Sequence, residues 1–409
     1  MRRVWVSLHR WLGLFMAGFL FVSGLTGAII AWDHELDEWL NPELFHARAS
    51  DQPTLTALQL ADRLEAADSR VRLSYLPLHL EPGHNLGASV DPRVSPDGSL
   101  PELGFDQLAL DPTTGEVVGS RQWGEFAFSR AALMPFLYKL HYTLHLPDAW
   151  GIELGILLLG IVAMVWVIDC FIALWISFPS RRAWRKSFAF RWRQGGHKRT
   201  FDLHRSGGVW IWTLLLLIAV TSVSMNLPFQ VTRPLVSLFS PLTPSPFEQI
   251  SPVTLEQSRD PLLSRAEAIA VAQGEAQRLG IQAPPGGIYH SAEFGLYGVG
   301  FFTPGADHGD GGLGNPWIIL DARDGRVLSA DIPGQGSAGD LFMQLQFPLH
   351  SGRILGLPGR ILVSLLGLAV ATLSVTGVLI WLRKRAGRVA VRQRAGKVQP
   401  VTHDEALMQ

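Results

Sequence analysis

Four apolar stretches, roughly 11 to 32, 151 to 178, 208 to 227 and 361 to 382, constrain this chain more than any other feature. A helix needs about 20 mostly apolar residues to cross a hydrocarbon core of about 30 Å, and each stretch supplies that length. The reading is a membrane protein with four spans, which puts both termini on one side. Arg2 and Arg3 ahead of the first run imitate a secretory signal. The run is too long for a signal core, however, and Ala31-Trp32-Asp33-His34 offers no convincing cleavage site, so the first span is expected to be retained.

Orientation follows from the clustering of lysine and arginine. The connection between the second and third spans carries Arg181, Arg182, Arg185, Lys186, Arg191, Arg193, Lys198, Arg199 and Arg205, and the tail begins Arg383-Lys384-Arg385. Both are expected on the cytoplasmic side. The acidic run Asp33, Glu35, Asp37, Glu38 after the first span then belongs outside, and Trp32, Trp150, Trp175 and Trp381 suit an aromatic belt. With 35 basic and 35 acidic residues, nothing recommends a nucleic-acid partner. The one cysteine, Cys170, excludes an intramolecular disulfide and thiolate-built zinc or iron–sulfur sites. The chain has no phosphate loop, dinucleotide fingerprint or nucleophile elbow.

The segments between spans repeat in plan. The outside stretches 33–138 and 228–345 each contain an amphipathic helix, LTALQLADRLEAA at 55–67 and SRAEAIAVAQGEAQRL at 264–279. Each later has a strand, a tight turn and a strand, LALDPTTGEVVG at 108–119 and IILDARDGRVLS at 318–329. The membrane parts repeat too: LHRWLGL at His9 and LHRSGGVW at His204 precede outward spans, while Leu140-His141 and Leu349-His350 precede inward ones. The expected organisation is 1–32, first span with its cytoplasmic start; 33–138, first outside domain; and 139–178, second span. It continues with 179–203, basic loop; 204–227, third span; 228–345, second outside domain; 346–382, fourth span; and 383–409, tail. The fold class is membrane α plus extracytoplasmic α+β, a four-helix transmembrane bundle built as an internal tandem repeat.

Ionisable groups near membrane depth are costly and are usually paired or functional. The topology puts His9 with His204 at the cytoplasmic face and His141 with His350 at the outer face. Two imidazoles from facing helices are a means by which a bundle clamps haem iron, so these four are the candidate axial ligands of two haems b. Arg10 and Arg205 are candidate partners of haem propionates on the inner side, with Arg353 or Arg360 on the outer. Gly13, Gly18, Gly207 and Gly208 allow a flat ring to approach, or serve close helix packing. His145 lies one turn from His141 and competes for the outer position. Asp169, inside the second span, is either a proton relay or the hydrogen-bond partner of a neighbouring helix. His34, His46, His79, His84, His290 and His308 lack ligand spacing and are expected to have surface roles, and His197 and His403 suggest no role.

LHRWLGLFMAGFLFVSGLTGAI at 8–29, FLYKLHYTLHL at 136–146, LHRSGGVW, and LHSGRILGLPGR with LSVTGVLIW at 349–381 resemble the PepSY-associated transmembrane proteins over nearly the whole chain. Within that likeness the chain resembles inner-membrane siderophore-iron reductases. That resemblance implies a bacterial inner-membrane location, two PepSY-like domains in the periplasm, and haem held by His9, His141, His204 and His350. It further implies reduction of a ferric siderophore or other iron chelate, with release of ferrous iron. The third span departs from the pattern: AVTSVSMN at 219–226 lacks the Thr-Gly of Thr26-Gly27 and Thr376-Gly377. The electron donor, whether a quinol, a flavin reductase or another carrier, has no sequence signature. One rival reading is an anchored binding, sensing or protease-inhibitor protein, since PepSY-type domains are associated with protease inhibition. A permease is the other, disfavoured because the sequence shows no broken span.

Overall fold

The computed structural model describes residues 1–258 and 260–397; His403 and the end of the 383–409 tail lie outside the described residues. In chain order the first helices are α1 (Arg2–Ile30), α2 (Asp33–Leu40), α3 (Pro42–Phe45), α4 (Ala57–Ala67), α5 (Arg130–Thr143) and α6 (Leu154–Ser177). There follow α7 (Gly196–Trp210), α8 (Trp212–Asn226), α9 (Arg233–Ser237), α10 (Pro246–Gln249), α11 (Arg265–Arg278), α12 (Ala338–Ser351) and α13 (Leu357–Lys397). The strands are β1 (Val71–Pro77), β2 (Leu86–Pro92), β3 (Gln107–Leu110), β4 (Val117–Arg121), β5 (Pro285–Ser291), β6 (Leu296–Phe301), β7 (Trp317–Asp321) and β8 (Val327–Asp331). Two compact units result.

One unit comprises Met1–Leu25, Ile161–Val220 and the chain from Leu366. Helices α1, α6 and the Leu357–Val391 part of α13 are each long and apolar enough to cross a membrane. The third stretch differs from the unbroken span expected. It consists of α7 and α8, bent by 71° at a break of one residue, Ile211, and supplies a fourth crossing if the pair is one span. Its cause is local: Ser206, Gly207 and Gly208 occupy the last turns of α7 and are weak helix formers. Ile211, at φ −105° and ψ 12°, leaves helical geometry while its N–H still bonds the carbonyls of Gly207 and Val209. Helix α7 also begins inside the basic connection, where Asp202, almost fully buried, accepts hydrogen bonds from the Arg191 guanidinium at 2.6 and 2.8 Å. Cys170, Leu215, Leu366 and Val370 form the apolar centre of this unit. At Gly24 a Cβ would lie 2.7 Å from the Gly367 carbonyl oxygen, so α1 and α13 cross at a distance only glycine allows.

The other unit comprises Thr26–Gly160 and Thr221–Leu365. Its centre is one antiparallel sheet in the order β4-β3-β2-β1-β5-β6-β7-β8, so each outside stretch of the sequence supplies four consecutive strands. The stretches meet through β1 and β5, with Tyr75 opposite Tyr289 and Leu76 opposite Ile288. A four-stranded sheet on each side would leave β1 and β5 as open edges; pairing them removes both. Leu60, Ala61 and Leu64 of α4 and Ala268, Ala272 and Ala276 of α11 pack on Val71, Leu73, Leu110, Ile288, Val299, Ile318 and Leu320. Alanines at i, i+4, i+8 let α11 lie close to the strands.

The local signals behind these elements are specific. Thr56 with Gln59, and Ser264 with Glu267, form reciprocal capping boxes at the starts of α4 and α11. In the β3–β4 turn, Asp111 Oδ1 accepts from the Thr113 and Thr114 N–H groups at 2.8 and 3.0 Å, and Gly115 supplies φ +78°. The β7–β8 turn repeats this with Asp321 and Gly325.

Candidate functional site

Four histidines meet as two pairs, each within a single unit. His9 of α1 and His204 of α7 have ring centroids 6.0 Å apart at an interplanar angle of 47°. His141 of α5 and His350 of α12 have centroids 6.2 Å apart at 62°. A metal held between two imidazoles by bonds of about 2.0 Å, with each ring centre about 1.1 Å behind its ligating nitrogen, requires centroids about 6.2 Å apart.

Each ring makes a hydrogen bond through Nδ1 to another helix. His9 Nδ1 lies 2.9 and 3.0 Å from the two carboxylate oxygens of Asp169 in α6. His204 Nδ1 lies 3.0 Å from the Leu373 carbonyl and 3.2 Å from Thr376 Oγ1 in α13. His141 Nδ1 is 3.1 Å from Thr26 Oγ1 in α1, and His350 Nδ1 is 3.0 Å from Thr221 Oγ1 in α8. Fixing Nδ1 in this way sets the tautomer and orientation that a ligating Nε2 needs.

The glycines beside these threonines are part of the fit. A Cβ at Gly27 would stand 2.9 Å from His141 Cε1, and one at Gly377 would stand 3.0 Å from His204 Cε1. Thr-Gly in α1 and α13 is therefore a seat for a histidine ring, the hydroxyl holding Nδ1 and the bare Cα admitting the ring edge. The third span keeps the hydroxyl at Thr221 and has Ser222 where the glycine would be.

The other expected site residues divide. Arg10 bonds Ser7 Oγ at 2.9 Å and lies over Trp11, and Arg205 bonds the Lys186 carbonyl. In both, Nε is buried and has no hydrogen-bond acceptor, as an arginine awaiting an anion would be. Open space lies beside Gly13 and Gly207, one turn on from His9 and His204, and beside Gly18, whereas a Cβ at Gly208 would touch Leu373. Arg353 is taken up by Asp310 at 2.9 Å and Asp33 at 3.6 Å. Arg360 bonds both Glu35 oxygens at 2.7 Å and lies over Trp32, and its hydrogen bond holds the Glu35 carboxyl below its usual range.

His145 is not brought to His350. Leu144 and His145 have φ of +56° and +54°, which ends α5, and His145 Nε2 turns back to bond the Phe136 carbonyl of α5 at 2.9 Å. Its ring stacks on Phe136 with centroids 4.4 Å apart.

The sequence shows the Thr-Gly recurrence at Thr26 and Thr376 but not that these hydroxyls, with that of Thr221, serve the histidine rings. It also left Asp169 between two roles, and here Asp169 bonds a neighbouring helix through His9. The expected surface role fails at His290, which is 4% exposed, and burial, with Arg72 and Arg265 nearby, pushes it down to about 4. His46 and His84 converge on Glu38, a grouping invisible in sequence spacing.

A family model described as the PepSY-associated TM region matches residues 6–384. The chain belongs to that family. No curated protein matches it. The match takes in all four paired histidines and their Nδ1 partners, so the pairs are a feature of the PepSY-associated region of this protein and not of an added segment.

Proposed function

We propose that this PepSY-associated transmembrane protein is an oxidoreductase of a bacterial inner membrane. It takes electrons from a cytoplasmic-side donor and passes them to a periplasmic ferric siderophore or other iron chelate, which then gives up Fe(II). Its spans are read as a four-helix bundle made from two copies of one plan, with both termini cytoplasmic. The observation that carries the reading is the pair of imidazole couples at 6.0 and 6.2 Å, every ring fixed through Nδ1 by a different helix.

His9 with His204, and His141 with His350, would each hold one haem b, which supplies a one-electron Fe(III)/Fe(II) couple. Asp169 accepts the His9 Nδ1–H, which fixes that ring and leaves Nε2 to ligate. Thr26, Thr221 and Thr376 hold the other three rings through neutral oxygens. Arg10 and Arg205 offer their unpartnered Nε–H groups to carboxylates at the water edge. On the substrate, one electron converts Fe(III) to Fe(II), and the lost charge weakens its bonds to hard oxygen donors.

The test is a reduced-minus-oxidised absorbance spectrum with haem quantitation on the purified protein and on H9A, H204A, H141A and H350A. Two haems in the parent and one in each variant are expected. A colourless protein, or full haem in all four variants, returns the chain to an anchored binding or sensing protein. The bend at Ile211 gives the permease reading the broken helix that the sequence lacked. That reading requires uptake by sealed vesicles without a reductant.

A further inference from the structure

Outside the histidine pairs, Glu38, His46 and His84 bring one ligand atom each within 4.8 Å of one another. Glu38 is on α2, His46 ends α3, and His84 precedes β2. His84 Nε2 is 3.2 Å and His46 Nε2 is 3.5 Å from the same oxygen, Glu38 Oε1. Ligand atoms around a tetrahedral ion with bonds of about 2.0 Å sit about 3.3 Å apart. Each nitrogen is thus already near coordination spacing from the carboxylate oxygen, and all three ligand atoms lie within 4.8 Å of one another.

The surroundings hold this arrangement. His84 Nδ1 lies 3.3 Å from the Pro82 carbonyl, the outer hydrogen bond that a ligating imidazole commonly makes. His46 and His84 form an isolated antiparallel bridge, flanked by Ala47 N–H to Gly83 O at 2.9 Å and Asn85 N–H to Phe45 O at 2.8 Å. The Asn85 side-chain amide donates to the carbonyls of Glu43, Leu44 and His46 at 3.3, 3.2 and 3.1 Å. The loop carrying one ligand is clasped by the residue next to another. Of the three, His84 also lines a cavity of about 340 Å³ with Tyr75, His79, Glu81 and Asp307.

We propose that Glu38, His46 and His84 bind a divalent first-row transition-metal ion, Fe(II) or Zn(II). Two imidazoles and one carboxylate suit borderline ions and reject Mg(II) and Ca(II), which prefer all-oxygen shells. Three protein ligands leave positions open, so the site is built for an ion that exchanges. It stands independently of the haem reading, because none of its ligands belongs to the histidine pairs.

The test uses the full chain in detergent, stripped with a chelator and titrated calorimetrically with Zn(II), or with Fe(II) under anaerobic conditions. Metal is then counted after desalting. One ion per chain is expected, with affinity at least about 100-fold weaker in H46A and H84A and about 10-fold to 100-fold weaker in N85A. E38Q keeps the fold and removes the charge, and it too should weaken binding. Tighter Fe(II) than Zn(II) binding would assign ferrous iron, and the reverse would assign zinc. Absence of stoichiometric binding, or binding unchanged in H46A, H84A and E38Q of native circular dichroism, overturns the site.

Discussion

His9 Nδ1 stands 2.9 Å from one carboxylate oxygen of Asp169 and 3.0 Å from the other, a charged partner where His141, His204 and His350 have hydroxyl or carbonyl oxygens. A carboxylate behind an imidazole makes it a stronger donor and favours the higher charge on a bound metal. The haem of the His9 pair is therefore expected to have the lower potential, which drives electrons toward the His141 pair. Asp169→Asn keeps the shape and removes the charge. Its potentiometric titration should show one midpoint raised, by about 59 mV for each tenfold loss of preference for the ferric state, and the other unmoved. Two unshifted midpoints would dismiss Asp169 as a tuning group.

The Thr-Gly seats give a prediction that separates the two pairs. Gly377→Val places a Cβ 3.0 Å from His204 Cε1 and should displace that ring, while Gly27→Val does the same to His141 at 2.9 Å. Each variant is expected to keep one haem of two, the lost one differing in its spectrum and potential. Thr26→Val should weaken haem retention by about 10-fold to 100-fold and Thr26→Ser much less, because only the serine preserves an oxygen for His141 Nδ1. Haem content by pyridine haemochrome, with circular dichroism as a folding control, checks all four.

The sequence carried the apolar lengths, the two amphipathic helices and the two Asp-Gly hairpins, since each is written in local periodicity or in a turn residue. Strands β1, β2, β5 and β6 were not legible. Arg72, buried in β1 and bonded to Ser258 at 3.1 Å, interrupts the apolar pattern, and β6 reads LYGVGF with every residue buried, so alternation is lost. The joining of β1 to β5 depends on residues some two hundred apart. Within the site, the four histidines were visible because the repeat aligned them. The same alignment favoured His141 but left His145 a contender, because the left-handed turn at Leu144–His145 that points the second ring back at Phe136 has no signature in the repeat.

That turn makes His145 a discriminating control. Its Nε2 is used by the Phe136 carbonyl and its ring by the Phe136 stack, so His145→Ala should retain both haems while His141→Ala loses one. The cost of His145→Ala should fall on stability, about 1 kcal/mol for a lost hydrogen bond. A variant that loses haem as His141→Ala does would place His145 in the outer pair instead.

The sheet carries a pH dependence of its own. His290 is buried against Tyr297, and neither ring nitrogen has a hydrogen-bond partner. Burial first, then the charges of Arg72 and Arg265, hold it neutral down to about 4, against 6.5 for the free side chain, with Glu65 opposing. Between those values the unfolded chain binds the proton and the folded chain does not. The contribution of His290 is thus fully present above pH 6.5 and is lost as pH falls toward 4. At about 1.4 kcal/mol per unit, the loss amounts to about 3 kcal/mol. Asp91, desolvated and so raised, acts with the opposite sign, favouring the fold at low pH. The two are separated by comparing thermal unfolding of the parent and His290→Phe at pH 7 and pH 4.5. The variant should lose less stability on acidification because its unfolded chain has no imidazole at that position to take up a proton. Equal losses in both would mean that another group governs the acid response.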